Sequence, residues 1–371
     1  MNATLNIYVA KQFFIGILTA FVVIAGVIML IDFVELSRNF NEVKGISFGT
    51  LLVMTGLKAP SLFEEIIPFV VLFGVMNALV KLNRRSELII MRAAGLSAWR
   101  FLFPGLIVAG LVGVFWTTAV NPLAAKAEET FNAKRAAMTS QSAAPGAQAG
   151  NAAKNIWLAE GGQTGQTKIY APAADLTERT LTEPTFYLFR YDANRVAEFT
   201  NRFDAKKAKL SDKGFWELTE VVDTPADGSK PLSYERTMVA TTLTADDLRN
   251  ATARKKTPAF WGLPSEIKRV SDAGFSATPL IMQFHRLLAL PLTLIAMAVI
   301  AAGASMQLTR LGGTMRLMII GAALGFGVYF ANNMITAFGE TGSLPAILSA
   351  WAVPLFVLLV GLARLSWLED G

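Results

Sequence analysis

The chain has 371 residues, 53% hydrophobic and only 17% charged, with a mean hydropathy of +0.43, which is too apolar for an ordinary soluble domain of this size. Its formal net charge of +6 and isoelectric point near 9.5 reflect inner-face Lys and Arg in a membrane protein and are not read as a nucleic-acid signal. The absence of cysteine excludes disulfides, thiol catalysis and Cys-zinc sites, and the single histidine, His285, rules out a multi-histidine metal centre and disfavours a Ser-His-Asp triad.

The first apolar run, Phe13 to Ile31, is long enough to span a bilayer. It has no positive n-region before it and no clear cleavage site, so it is read as a retained helix over about Leu5 to Phe33. Lys11 lies near its inner end and Asp32 and Glu35 at the other. A short polar loop, Leu36 to Phe48, is expected in the periplasm. Helix two runs from about Thr50 to Leu82 and contains Lys58, Glu64 and Glu65. Charges so close to a span lie at the interface or face protein or water. Pro60 and Pro68 are expected to bend this helix or to break it into a surface part and a spanning part.

The segment that organises the chain is Lys81 to Ser97, wedged between the uncharged runs Ile66 to Val80 and Phe101 to Val120. Lys81, Arg84, Arg85 and Arg92, with Arg100 just beyond, mark a cytoplasmic membrane face. Ser86 to Ala94 has good helix formers and an apolar stripe at Leu88, Met91 and Gly95. Gly95 is a helix stop and Ser97 a cap for the next helix. Two readings fit: a short amphipathic helix at the inner surface over about 84–95, or a positive-inside loop with some helix in it.

Helix three, about Trp99 to Val120, returns to the periplasm with Ala109 and Gly113 as a small-residue packing pair. Asn121 to Lys134 could extend it. Residues 136–153 are rich in Ala, Gly, Ser and Gln and read as a flexible stretch. Strand patterns follow at Asn155–Leu158, Lys168–Ala171, Thr185–Tyr191, Arg195–Thr200, Asp204–Leu210, Phe215–Val222 and Glu235–Thr242. Asp212-Lys213-Gly214 is a hairpin turn, and the spacing points to a small sandwich or jelly-roll-like domain. Leu263 to Ala273 reads as a short helix leading back to the membrane.

Helix four starts near Thr278 and carries His285 and Arg286 in its outer third. Arg310 and Arg316 bracket a cytoplasmic Gly312-Gly313 turn. Helix five, Leu317 to about Phe338, holds the GxxxG face Gly321 and Gly325, with Asn332-Asn333 as polar residues inside it. Gly339 to Ser343 is a tight turn, and helix six runs from Leu344 to about Leu365, with Arg364 at its inner end. The fold class is therefore membrane α-helical, with six transmembrane helices and an inserted periplasmic all-β domain. Residues 1–124 hold helices 1–3, 125–275 the β-domain and 276–371 helices 4–6. Inner positions hold Lys81, Arg84, Arg85, Arg92, Arg100, Arg310, Arg316 and Arg364; outer loops hold mainly Asp32, Glu35, Arg38, Lys44 and Glu340. This places both termini in the cytoplasm. Three spans on each side of the insert point to a pseudo-symmetric arrangement.

No phosphate loop, GxSxG, HExxH or GxGxxG context is present, and no metal or catalytic set is assigned. Asp246-Asp247 reads as a solvated turn and His285 as a packed or interface residue. Arg286 either snorkels to the interface or meets an anion in a cavity.

The chain resembles the LptF/LptG (YjgP/YjgQ) family of lipopolysaccharide-transport permeases over essentially its whole length, and its LptG branch more than its LptF branch. The resemblance is strongest in Pro68 to Gly95, through Arg85-Ser-Glu-Leu88 and Met91-Arg-Ala-Ala-Gly95. Further matches are Lys209-Leu-Ser-Asp-Lys-Gly-Phe-Trp-Glu-Leu218, Trp261-Gly-Leu263 with Ile267 and Gly274, and Leu344-Pro-Ala with Ala350-Trp351 and Pro354. The resemblance implies an inner-membrane subunit paired with an LptF-like permease, above an LptB-like ATPase dimer that holds ATP and Mg, and joined by an LptC-like bitopic subunit. It would extract lipopolysaccharide and hand it to a periplasmic bridge protein, binding no cofactor itself. The helix around Glu87 would dock in the ATPase, with Arg84, Arg85, Leu88, Met91 and Arg92 in support. Spans one and five would form the lipid gate and subunit contacts, and the β-domain would pass lipid by edge pairing. One departure is Asp32, where relatives often carry Lys; a carboxylate needs a bridging cation to meet a lipid phosphate. Either Arg286, Arg38 or Lys58 then takes the phosphate, or the lipid of this protein carries different head chemistry; with His285 and Asp32 these are the candidate substrate-binding residues. The other classes considered are the LptF-like paralogue of the same complex, a lipoprotein-release or macrolide-type permease, whose large insert follows the first span rather than the third, a non-transporting envelope-assembly scaffold, and a membrane-embedded enzyme.

Overall fold

A computed structural model of the chain describes residues 3–40, 47–141, 152–161, 165–175, 178–191, 197–211, 214–244, 248, 258–272, 276–308 and 314–370. Six helices are long and apolar enough to cross a membrane, in the expected order around an inserted β-region. Helix α1 is Ala3–Asn39 and α2 is Phe48–Arg84. The short α3, Glu87–Ala93, leads to α4, Ala98–Phe115, which runs through a π-helical turn, Trp116–Val120, into α5, Asn121–Gln141. After the strands come a 3₁₀ turn at Phe260–Gly262, α6 at Leu263–Asp272, α7 at Thr278–Leu308, α8 at Thr314–Glu340 and α9 at Ala346–Asp370.

The chain divides into two units, a helical one (1–134, 258–264 and 278–371) and a β-rich one (135–257 and 265–277). In the helical unit α7 and α2 are central. Helix α7 packs against α2, α4, α8 and α9, while α1 and α8 leave most of their apolar surface exposed. The two sets of three spans are therefore not built alike. The middle span is central in the first set and the first span in the second, which runs against the pseudo-symmetric expectation.

Prolines inside α2 do not divide it. Pro60 and Pro68 both lie within one continuous helix, so of the two expectations, a bend or a break, the break does not occur. In α7, Pro291 lacks the N–H that would reach the Leu287 carbonyl one turn back. Thr117, in the π-helical turn, supplies the missing donor: its hydroxyl donates to Leu287 O at 2.9 Å in a buried position. The helices come close enough for this because Gly113 has no Cβ; one there would lie 2.5 Å from Pro291 Cα. The expected Ala109/Gly113 packing pair is thus used, with Ala109 fully buried. A tighter approach joins α1 and α2, where a Cβ on Gly16 would strike the Gly74 carbonyl and one on Gly74 the Ile17 backbone.

The β-unit has seven strands: β1 Ala152–Gly161, β2 Gly165–Asp175, β3 Thr180–Thr182, β4 Thr185–Tyr191, β5 Ala197–Ser211, β6 Phe215–Pro225 and β7 Leu232–Ala240. They form one antiparallel sheet. β3 and β4 lie end to end between β2 and β5, and β6 and β7 continue outward. Core residues from both ends of the sheet, Ile156 and Leu158 of β1 and Val239 of β7, join one cluster around Trp216 and Phe186. The sheet therefore curls on itself. A buried carboxylate fastens the curl, Glu160 Oε2 at the end of β1 accepting from Thr241 Oγ1 at 2.7 Å and Thr242 N at 2.8 Å just beyond β7. In the β6–β7 turn Asp227 accepts the Ser229 N–H at 2.9 Å, and this backbone hydrogen bond holds its carboxyl below the usual range.

Several boundaries shift. The two strands expected over Arg195–Thr200 and Asp204–Leu210 are one, because polar Asn201 and Arg202 are paired with Leu188 and Tyr187 on one side and with Pro225 and Thr224 on the other. The short β3 was not foreseen. The helix that follows the third span continues to Gln141, so residues 136–141 of the expected flexible stretch are helical. Asp212 and Lys213 lie outside the described residues, but Ser211 pairs with Phe215 and Gly214 has φ +79°, as the hairpin requires. Residues 142–151, Arg195, Lys44, Asp246-Asp247, Gly274, Arg310 and Gly312-Gly313 also lie outside them.

Candidate functional site: the short helix and the two ties of the first span

Between α2 and α4 the chain makes a short, sharply bounded helix. Ser86 enters it in the left-handed region, φ 60° and ψ 6°, a conformation that costs a non-glycine residue about 1 kcal/mol. The exit is fastened by two hydrogen bonds, Gly95 N to Arg92 O at 3.0 Å and Leu96 N to Met91 O at 3.1 Å. This pairing needs a left-handed residue at the turn, and Gly95 supplies it with φ +77°. Ser97 then caps α4, its hydroxyl accepting from Arg100 N at 3.4 Å. The helix reading of this segment holds, with Glu87–Ala93 as its bounds.

Leu88 and Met91 are buried in the main helical core beside Val9, Phe13 and Leu82. The opposite face is unusual: Ile89 and Ile90 are 60% and 65% exposed. Arg84, Arg85 and Arg92 are exposed around it, and Glu87 is half-buried. Glu87 is shared between a neighbouring cation and another helix. Its Oε2 accepts the hydroxyl of Tyr8, on α1, at 2.7 Å, and Arg85 Nη1 stands 3.8 Å from its Oε1. Sequence reasoning missed Tyr8, which lies 79 residues away and belongs to no motif.

A second tie lies 24 positions further along α1, about 36 Å at 1.5 Å per residue, close to the thickness of a bilayer core. There Lys58 Nζ donates to Asp32 Oδ1. The side chains differ in burial, 5% exposed for Asp32 and 31% for Lys58. Asp32 Oδ2 is buried without a partner among the described residues. The carboxylate in span one is thus answered by a cation from span two. At that end of the helices, Asn121 Nδ2 donates to Glu64 Oε2 at 2.9 Å while its Oδ1 accepts from Phe260 N at 2.9 Å. Trp261 Nε1 donates to the Thr118 carbonyl at 3.0 Å.

The remaining expected residues are not gathered with this pair. His285 Nδ1 accepts from Trp351 Nε1 at 3.5 Å, the packed role read for it. Arg286 and Arg38 are exposed and make no hydrogen bond or ion pair among the described residues. Gly321 and Gly325 pack onto α2, the first against Met76 and the second against Leu72 and Phe69, so this face serves packing within the chain. Asn332 lines a cavity of about 30 Å³ with Tyr329, Thr293, Pro68 and Pro354, room for about one water. No group of three or more His, Asp or Glu side chains capable of holding a metal occurs among the described residues.

Six apolar spans with an inserted β-domain, and a short basic-flanked helix between spans two and three, define a multi-pass membrane protein. The family model for the lipopolysaccharide export system permease LptF/LptG matches residues 7–367. The chain belongs to that family, which makes it an inner-membrane permease of lipopolysaccharide export, a transport subunit. A relative, the lipopolysaccharide export system permease protein LptG of Haemophilus influenzae, is 23% identical over 368 residues, covering 97% of this chain and 98% of its own.

Proposed function

We propose that this chain is the LptG-like subunit of an ATP-driven exporter. It pairs with an LptF-like permease, rests on an LptB-like ATPase dimer that carries ATP and Mg, and is joined by an LptC-like bitopic subunit. The assembly draws lipopolysaccharide from the inner membrane and passes it to a periplasmic bridge. The observation that carries this reading is the build of α3. Two large apolar side chains, Ile89 and Ile90, stand exposed on a helix fixed at both ends, beside a carboxylate and three arginines. Such a patch is costly in water and fits a hydrophobic groove on a partner. Basic residues at this end support a cytoplasmic placement of α3 and of both termini, with the β-domain in the periplasm.

The exposed apolar faces of α1 and α8 are suited to the second permease and to the lipid path. The free edges of β1 and β7, which have no strand partner among the described residues, are suited to edge pairing with another β-domain. For the anionic head of the lipid, Arg286 and Arg38 are the stronger candidates, because Asp32 already neutralises Lys58. Native mass spectrometry of the gently purified protein tests the assembly. The expected mass contains one copy of this chain, one paralogue, two ATPase subunits and a bound lipopolysaccharide. A lone chain or homodimer carrying only phospholipid, reproduced in milder detergent, would refute the exporter in favour of a scaffold.

A further inference from the structure

Glu87 is the single acidic residue between Lys81 and Arg100, a segment with five cations. Local electrostatics would give it wholly to a neighbouring arginine. The structure does so only in part: Arg85 Nη1 stands at a long 3.8 Å from Oε1, and the other carboxylate oxygen is taken from a different helix. Ser86 takes a left-handed conformation immediately before Glu87, and the carboxylate meets the Tyr8 hydroxyl at 2.7 Å. A hydrogen bond to an ionised acceptor is among the stronger side-chain links. This one joins the inner part of the first span to a helix that otherwise belongs to the α2–α4 connection.

We propose that Tyr8 is a positioning residue for energy coupling. Its hydroxyl presets the Glu87 carboxylate for the partner ATPase and transmits movement of α3 to α1. This rests on the exporter reading above. The two ends of α1 are then held by different means: Tyr8 to Glu87 at the α3 end, and Asp32 to Lys58 about a bilayer core away. When a partner cation competes for Glu87, only the first tie is contested. A change at the ATPase thereby reaches the most exposed of the first three spans through its α3 end.

The test uses the whole complex, purified with its ATPase and placed in proteoliposomes with lipopolysaccharide. Stimulation of ATP hydrolysis by lipopolysaccharide is measured for wild type, Tyr8→Phe, Glu87→Gln and the double variant. Tyr8→Phe keeps the ring and removes one oxygen. The expected result is that it retains co-purifying ATPase within twofold of wild type, yet loses at least threefold in stimulation. The double variant should be no worse than Glu87→Gln alone, because both changes cut the same link. Full stimulation with Tyr8→Phe, or a double variant whose loss is the product of the two single losses, overturns the proposal. Loss of the assembled complex with Tyr8→Phe also overturns it, in favour of a folding role. If the wild-type chain brings down no ATPase, the exporter reading itself fails, whereas an intact complex indifferent to Tyr8 defeats only the positioning role.

Discussion

Removing Lys58 should harm this protein more than removing its partner. In Lys58→Met the Asp32 carboxyl, 5% exposed and with one oxygen already lacking a partner among the described residues, is left buried with no cation beside it. Breaking a buried pair in this way costs about 3–5 kcal/mol. Because Lys58 is nearly a third exposed, water shares in solvating the pair, and the lower end, about 3 kcal/mol, applies. That is roughly two orders of magnitude in the folded-to-unfolded ratio. In Asp32→Asn the orphaned ammonium sits on a flexible stem that can reach water, so the loss is about 1 kcal/mol. The double change Asp32→Leu with Lys58→Met replaces both charges by apolar groups and should recover most of the loss. Denaturation in mixed micelles, followed by Trp fluorescence, ranks the variants. Equal losses in the two single variants, or a double variant as unstable as their sum, would show that the pair does not govern stability here.

Gly74→Val should prevent α1 and α2 from closing and sharply lower the yield of monodisperse protein. Gly321→Ala should be far milder, because it meets the flexible end of Met76 rather than backbone; similar yields for the two would contradict this. Thr117→Val leaves the Leu287 carbonyl with neither its helical nor its borrowed donor and should cost about 1–3 kcal/mol in the same unfolding assay. Glu87→Arg should abolish lipopolysaccharide export while the chain still folds and inserts, as measured by export in cells and by detergent-resistant fold; normal export would exclude the coupling role. A photo-crosslinker at Arg286 should capture lipopolysaccharide, and labelling of bulk phospholipid alone would identify that arginine as an interfacial anchor.

The sequence by itself determined the number and order of the spans and the position of the insert. A bilayer demands about 20 consecutive apolar residues, and that demand is met locally and can be counted. It also determined where α3 stops and where α4 begins, since Gly95 supplies a left-handed turn and Ser97 a cap from within one or two residues of the helix end. The hairpin at Gly214 is legible for the same reason. Strand limits were less so: polar Asn201 and Arg202 resemble a turn until their neighbours on both sides are known. Only the tertiary structure decided the partners of the polar groups. Tyr8 with Glu87, Asp32 with Lys58, Thr117 with Leu287 and Glu160 with Thr241 are separated by 79, 26, 170 and 81 positions. Each pairing exists because a buried donor, acceptor or charge must be answered by whatever the packing brings within reach, and that proximity is a property of the folded chain.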